Sequence, residues 1–252
     1  MPNHKTHPFR KKWGQNFLQD DNIINKILTC LGANKEDHVL EIGSGEGALT
    51  NPLSKQIKEI QAVEIDPLLI EKISLLKLEN VWMHKADFLD WDINQMPFNY
   101  KVIGNLPYYI SSPILFKLLQ DLRWSRMVLM FQKEVAKRII SEHGNKSYGR
   151  LSVLCQVYCC VKLEFTVSKH VFFPQPDVDS AIVTFLPRAD APSDITQFSN
   201  FIKLAFSQRR KLLKNNLVPL KVVKKLDKYA MVRPEEISPE EFVELYSRIY
   251  IG

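Results

Sequence analysis

The chain is predicted to fold as an α/β protein: a doubly wound, mostly parallel sheet whose last strand is antiparallel, followed by a small all-helical domain. Three observations predict this. Short β-rich runs alternate with helical patterns from Asp37 to Phe131. The first run ends in a glycine-rich turn and the second in an acid, an arrangement that lines a crevice at the carboxyl edge of such sheets. After Arg188 the alternation stops and helical spacing takes over.

The elements follow in order. Asp37 to Ile42 is a short apolar run ending in glycines, and a helical pattern comes after it. Ile60 to Ile65 is the second strand. Asp66 then caps a helix over Pro67 to Leu78, with proline at the first helical position. Val81 to Lys85 is the third strand and Tyr100 to Gly104 the fourth. Ser111 or Ser112 caps a helix over Pro113 to Gln120. Arg126 to Phe131 is the fifth strand and Lys133 to Ile140 a helix. Leu151 to Val161 and Ser180 to Leu186 are β-rich runs. No long helix separates these two, so one is expected to be antiparallel.

The segment Ala189 to Asp194 reads as a linker, which divides the chain into 1–188 and 189–252. Beyond it, Ile202, Ala205, Phe206, Leu213 and Leu217 share a helical face, and Lys203, Arg210 and Lys214 form a basic stripe. Ser238, Pro239 and Glu241 make a capping box for a last helix ending near Tyr250.

The 252 residues are 45% hydrophobic and 25% charged, ordinary for a globular protein, which excludes disordered, collagen-like and disulfide-scaffold classes. No run approaches the ~20 apolar residues of a membrane helix. Met1 to Trp13 is basic without an apolar stretch, so it is not a secretory signal. The four cysteines form no C-x-x-C pair, so no zinc or redox motif is legible and reduced thiols in a cytoplasmic protein are expected.

The charge is unevenly placed. Lys5, Arg10, Lys11 and Lys12 stand in residues 1–19, and Lys203, Arg209, Arg210, Lys211, Lys214, Lys221, Lys224 and Lys225 in 195–226, with no acid in either block. The remaining residues carry a net −6 against +6 for the whole chain. Two basic blocks around a mildly acidic body suit a polyanion, nucleic acid before membrane surface.

The turn Glu41-Ile42-Gly43-Ser44-Gly45-Glu46-Gly47-Ala48 lets a ligand approach the backbone closely. Glu64, at the end of the next strand, is placed to bond a ribose diol. The loop admits NAD, FAD or S-adenosylmethionine. Glu41 disfavours a pyrophosphate and tilts the choice toward a cationic sulfonium. Asp87 would face the same crevice and accept the exocyclic amine of an adenine.

The sharpest signal is Gly104-Asn105-Leu106-Pro107-Tyr108-Tyr109. Asn105 offers a carbonyl acceptor, and Pro107 stiffens the turn and leaves the Leu106 carbonyl free of the sheet ladder. Two carbonyls accepting both N–H bonds of a base's amino group direct its lone pair at an electrophilic methyl, while Tyr108 stacks the base. Such a scheme needs no charged base, and in-line positioning supplies most of the rate. Phe172-Phe173-Pro174-Gln175-Pro176 is a second aromatic element that could close on the base.

These stretches, with Gln15 to Leu18, Gln132 to Ala136, Tyr148 to Val153, Phe172 to Ser180 and Ala205 to Leu217, resemble the ribosomal RNA adenine N6,N6-dimethyltransferase family across nearly the whole chain. The resemblance is closest to its bacterial small-subunit, kasugamycin-sensitivity branch. It implies a Rossmann-like class I methyltransferase sheet in 1–188 and a helical RNA-binding domain in 189–252. It implies that Asn16, Leu18, Gly43, Glu64, Asp87 and Asn105 hold S-adenosylmethionine, with no metal. Asn105 and the Leu106 carbonyl would hold the target N6 on the turn that Pro107 stiffens, with Tyr108 and Phe172 around the base. The implied substrate is a pair of adjacent adenosines near the 3′ end of small-subunit rRNA, methylated late in subunit assembly by a cytoplasmic monomer. This chain departs from the family's proline-rich approach to the aromatic loop, which reads Val167-Ser168-Lys169-His170-Val171. Its C-terminal domain is also short.

The rival readings are a related enzyme of large-subunit rRNA, an idle RNA-binding factor on the same fold, and a dehydrogenase. Arg209 to Leu217 resembles the small-subunit branch, and the intact Asn105 to Tyr108 favours activity.

Overall fold

A computed structural model of the chain describes residues 15–250. Lys5, Arg10, Lys11 and Lys12 of the first basic block lie outside them.

The first elements are β1 (Phe17–Leu18) and α1 (Asp21–Leu31). Asp20 caps α1, its carboxylate accepting the Asn22 and Ile23 amides at 2.9 and 3.0 Å. β2 (His38–Ile42), the short α2 (Thr50–Ser54), β3 (Glu59–Glu64), α3 (Pro67–Ser74) and β4 (Val81–Lys85) follow. The Asp66 cap is present, accepting the Leu68 amide at 3.1 Å, although α3 ends earlier than its apolar spacing predicts. Next come β5 (Lys101–Asn105), α4 (Ser111–Gln120), β6 (Arg126–Gln132) and α5 (Lys133–Ile139). No serine caps α4. Ser111 is its first residue, and the Ser111 hydroxyl instead donates to the Tyr108 carbonyl at 3.1 Å.

Leu151 to Tyr158, expected as strand, is helix: α6 spans Arg150–Tyr158 and β7 (Cys159–Val167) begins only afterwards. Every α6 residue except Arg150 and Gln156 is buried, so the helix has no polar face and leaves no period in the sequence. Ser152 Oγ opens it by accepting the Gly149 amide at 3.1 Å. β8 (Phe172–Phe173) and β9 (Ser180–Pro187) complete the strands.

The chain ends with α7 (Ile195–Ala205), α8 (Leu213–Asn216) and α9 (Pro239–Tyr250), with short helical turns between α8 and α9. The predicted face from Ile202 to Leu217 is therefore broken. The buried Asn216 amide donates to the Ala205 carbonyl at 2.6 Å and to Gln208 at 3.2 Å, which turns the chain at the end of α7. The Ser238–Glu241 capping box forms as predicted, with bonds of 3.0 and 3.2 Å.

The main sheet is mixed and mostly parallel, in the order β4-β3-β2-β5-β6-β9-β7, and the pairs among β2 to β6 are parallel. The order reverses between β2 and β5, where Ile42 pairs with Gly104. This is the switch point at which doubly wound sheets bind ligands, and it sets the glycine turn beside Asn105. β1 and β8 form a separate antiparallel pair, Phe17 opposite Phe173 and Leu18 opposite Phe172.

Two compact units result. The first runs to Lys133 and includes Glu164–Thr184; its core is aliphatic, with Leu31, Val39, Leu53, Ile60 and Ile103 essentially inaccessible. The second joins Glu134–Leu163 to everything from Phe185, so it takes in α6 as well as the segment beyond Arg188. Its core is aromatic: Phe198 meets Tyr246 edge-on at 5.1 Å between centroids, and Phe201 meets Phe242 at 6.2 Å.

Candidate active site

At the end of β2 the backbone turns through Gly43 and Gly45, both left-handed with φ of +72° and +56°. A side chain at Gly45 would also come within 3.2 Å of the Phe17 ring. The Gly43 amide donates to the Val63 carbonyl at 2.9 Å, which ties the turn to β3.

Glu64 ends β3 against this turn. Its carboxylate accepts the amides of Gly45 at 3.0 Å, Ile65 at 2.9 Å and Asp66 at 3.0 Å. Burial raises its pKa, and the three amides oppose that by solvating the charged form. The result is a carboxylate held rigid before any ligand arrives, with acceptor capacity left for a vicinal diol.

These residues open on a crevice lined by apolar side chains and a few convergent polar groups, the make-up of a small-molecule site. Asn16, Gly43, Glu64, Asp87 and Asn105, five of the six residues expected to hold the cofactor, line it together. Leu18 is buried, lining an adjoining hollow whose walls share Gly43 and Asn105 with the crevice. Asp87 stands at the mouth of the turn after β4, one carboxylate oxygen accepting the Leu89 amide at 2.9 Å. The left-handed glycines and the immobilised carboxylate fit a nucleoside drawn close to the backbone.

The N-L-P-Y segment closes the other side. Asn105 Nδ2 donates to the Asn16 carbonyl at 2.9 Å, which turns Oδ1 to the opposite side of the amide plane. Leu106 and Pro107 line the crevice, and among the described residues no hydrogen bond ends on the Leu106 carbonyl. Tyr108 is half-buried, its hydroxyl 2.6 Å from Ser180 Oγ, and its ring is not in the crevice wall. Phe172 is 4% exposed and sits in the aliphatic core, whereas its neighbour Phe173 is 50% exposed. In this structure it is therefore Phe173 that presents a ring. The departure at Val167–Val171 is braced without prolines: Ser168 accepts the His170 amide at 3.4 Å, and Asp179 accepts the Lys169 amide at 3.1 Å.

Glu41 behaves differently from the sequence reading. It is 1% exposed, Oε2 has no partner, and burial pushes its pKa up to about 8. The group is therefore mostly neutral at pH 7, so it repels a pyrophosphate less than an ionised glutamate would.

In the second unit, Arg138, Lys146, Arg150 and Arg209 line a surface hollow of about 900 Å³ with a single acid, Glu134. Arg209 Nη2 donates to the carbonyls of Lys146 and Tyr148, and Arg210 and Lys211 are exposed. This is a cationic surface of the kind that contacts phosphates.

Sequence reasoning did not single out Tyr109 or Lys117. Tyr109 lines the crevice at 60% exposure, and only its place beside N-L-P-Y could have marked it. Lys117 reads in the sequence as an ordinary helix lysine. Among the described residues no cluster could hold a metal ion, and no helix is long and apolar enough to cross a membrane.

Comparison with known proteins agrees with this geometry. Residues 6–249 match the family model described as ribosomal RNA adenine dimethylase. The ribosomal RNA small subunit methyltransferase A of Mycoplasma mobile is 43% identical over 92% of this chain and 94% of its own. A dimethyladenosine transferase from Plasmodium falciparum superposes with a TM-score of 0.82 at 26% identity, covering 91% of this chain and 95% of the other. The 23S rRNA methyltransferase ErmE does so at 0.68 and 26%, covering 93% and 99%. With a crevice at the sheet's switch point, an N-L-P-Y turn beside it and a family match over nearly its whole length, the chain belongs to the ribosomal RNA adenine dimethylase family.

Proposed function

We propose that the chain transfers methyl groups from S-adenosylmethionine to N6 of two adjacent adenosines near the 3′ end of small-subunit rRNA. The product is N6,N6-dimethyladenosine, formed late in small-subunit assembly by a cytoplasmic monomer. The observation that carries this reading is the position of Asn105, which lines the same crevice as Glu64 and Asp87 and turns its acceptor oxygen away from Asn16.

S-adenosylmethionine, when bound, supplies an electrophilic methyl on a sulfonium. Glu64 would accept from the ribose hydroxyls and Asp87 from the adenine amine of that cofactor. The residues of the chain do the rest by orientation. Asn105 Oδ1 and the Leu106 carbonyl accept the two N–H bonds of the target amine, which frees its lone pair from the ring. Pro107 fixes the angle between the two acceptors, and the Tyr108 ring, anchored through Ser180, stacks the extruded base. No side chain has to remove a proton before transfer, because the methylated nitrogen becomes acidic and releases its proton to water. Alignment of this kind accounts for up to ~7–11 kcal/mol of a barrier.

The test is labelled methyl transfer to separated small subunits, large subunits and DNA, followed by mapping of the modified base. The expected result is label on two neighbouring adenosines of small-subunit rRNA alone. Label on large-subunit rRNA, or none on any RNA, overturns the reading.

A further inference from the structure

Lys117 lies on α4, the helix that starts immediately after the N-L-P-Y turn. Its ammonium reaches the turn that follows β4 and donates to three backbone carbonyls there: Phe88 at 2.8 Å, Leu89 at 2.8 Å and Trp91 at 2.5 Å. An ammonium has three N–H bonds, and this turn takes all of them. The Phe88 ring adds a face 5.1 Å from Nζ.

The same turn carries Asp87. Three of its amides are paired internally. The Asp87 carbonyl accepts the Asp90 and Trp91 amides at 3.0 Å each, and the Asp87 carboxylate accepts the Leu89 amide at 2.9 Å. The amides of Leu89, Asp90 and Trp91 are thus held by Asp87, and the carbonyls of Phe88, Leu89 and Trp91 by Lys117. The Trp91 ring, 6% exposed, packs against Phe88 at 6.3 Å and closes the turn from beneath. One helical turn before Lys117, Ile114 lines the crevice, as do Ile110 and Tyr109 ahead of the helix. A single rigid element therefore runs from the target-amine end of the crevice to the clasp on the Asp87 turn.

We infer that Lys117 is a positioning residue: it clamps the turn bearing Asp87 to the helix that starts at the N-L-P-Y motif, and so sets how the crevice reads the base of its cofactor. The inference rests on the proposed role of Asp87 as acceptor of the adenine amine. Without the clamp the turn loses three charge-assisted bonds and Asp87 loses its fixed aim, while Glu64 and the glycine turn keep theirs.

The experiment measures dissociation constants of the full-length protein for S-adenosylhomocysteine and for S-inosylhomocysteine, which lacks the amine. Wild type is expected to prefer the amine-bearing ligand by about tenfold, the worth of one buried hydrogen bond to a charged acceptor. Lys117→Met is expected to lose that preference with little change for the inosyl ligand, and Lys117→Arg, which keeps the donors, to restore part of it. Asp87→Ala, which has no side-chain acceptor, should lose the preference as well, and adding Lys117→Met to it should change nothing more. Lys117→Gln replaces the methionine variant if circular dichroism shows the latter unfolded. A folded Lys117→Met protein that retains the full preference overturns the clamp. So does one that weakens both ligands equally, because that is the mark of a general structural role. A wild-type preference that survives in Asp87→Ala overturns the adenine assignment itself, and the clamp with it.

Discussion

Asn105 and Asn16, 89 positions apart in the chain, are joined side chain to backbone by a 2.9 Å hydrogen bond across the mouth of the crevice. The bond serves two purposes. It orients the Asn105 amide so that its carbonyl oxygen faces away from Asn16, on the side where the proposed function places the substrate amine, and it pins the segment from Gln15 to Phe17 beside the glycine turn.

Asn105→Ala should therefore damage both roles. Loss of one oriented acceptor at the reacting nitrogen is expected to cut kcat by about 10²–10³, the range seen when one oriented polar group is removed from an active site. Loss of the Asn16 tie should also weaken S-adenosylhomocysteine binding, while affinity for the RNA stays near wild type. Single-turnover transfer and a separate RNA-binding titration check this. Unchanged turnover would refute the role.

Glu41 should make stability depend on pH. Burial lifts its carboxyl from 4.5 to about 8, so between those values the folded chain holds a proton that the unfolded chain has released. Stability then falls as pH rises through that window, at most by about 1.4 kcal/mol per pH unit. Glu64, also raised by burial, acts in the same direction. Glu41→Gln removes the titration, so its Tm should exceed that of wild type at pH 8 and approach it at pH 5. Melting curves at both values decide the matter; a difference independent of pH would mean the carboxyl is not held neutral.

Tyr108 and Ser180 make a paired test. Tyr108→Phe leaves the Ser180 hydroxyl, fully buried, without its 2.6 Å partner, at a cost of about 1–3 kcal/mol in stability, and frees the ring to rotate. Tyr108→Ala additionally removes a stacking face worth about 1–3 kcal/mol per base. Steady-state kinetics on small subunits should show a lower kcat for the phenylalanine variant and a raised KM as well for the alanine variant. Equal kinetics in both variants would remove Tyr108 from base contact.

The basic residues after α7 should separate into two kinds. Arg210 and Lys211 are exposed, and replacing each by alanine should make the log–log salt slope of RNA binding shallower by about 0.7–0.9. Arg209 spends its guanidinium on the Lys146 and Tyr148 carbonyls, so Arg209→Ala should also lower Tm. Titrations over a salt series with parallel melts distinguish them. A slope indifferent to all three would leave this block facing solvent only.

Much of the site was legible in the sequence because its residues obey local rules. Gly43 and Gly45 need left-handed backbone, Asp66 caps α3, and Asn105 ends a strand that pairs at the switch point. What stayed hidden depends on distant partners. α6 shows no amphipathic period because it is enclosed on nearly every side, and α7 stops at Ala205 because Asn216 turns back to bond it. Phe172 reads as an available ring, yet its pairing with Leu18 directs it into the core, and only the alternation along β8 leaves Phe173 outside. Lys117 has no sequence signal, since its three acceptors lie in another segment.

The two-rung ladder between β1 and β8 bears on how this protein can be shortened. A deletion designed to trim the leading segment through Leu18 would strip the Phe17 wall from the crevice and, in the same cut, leave Phe172 and Phe173 without their opposing strand. Damage to the crevice and to the aromatic loop would then arise from one excision, and activity lost in such a trimmed protein could not be ascribed to either alone.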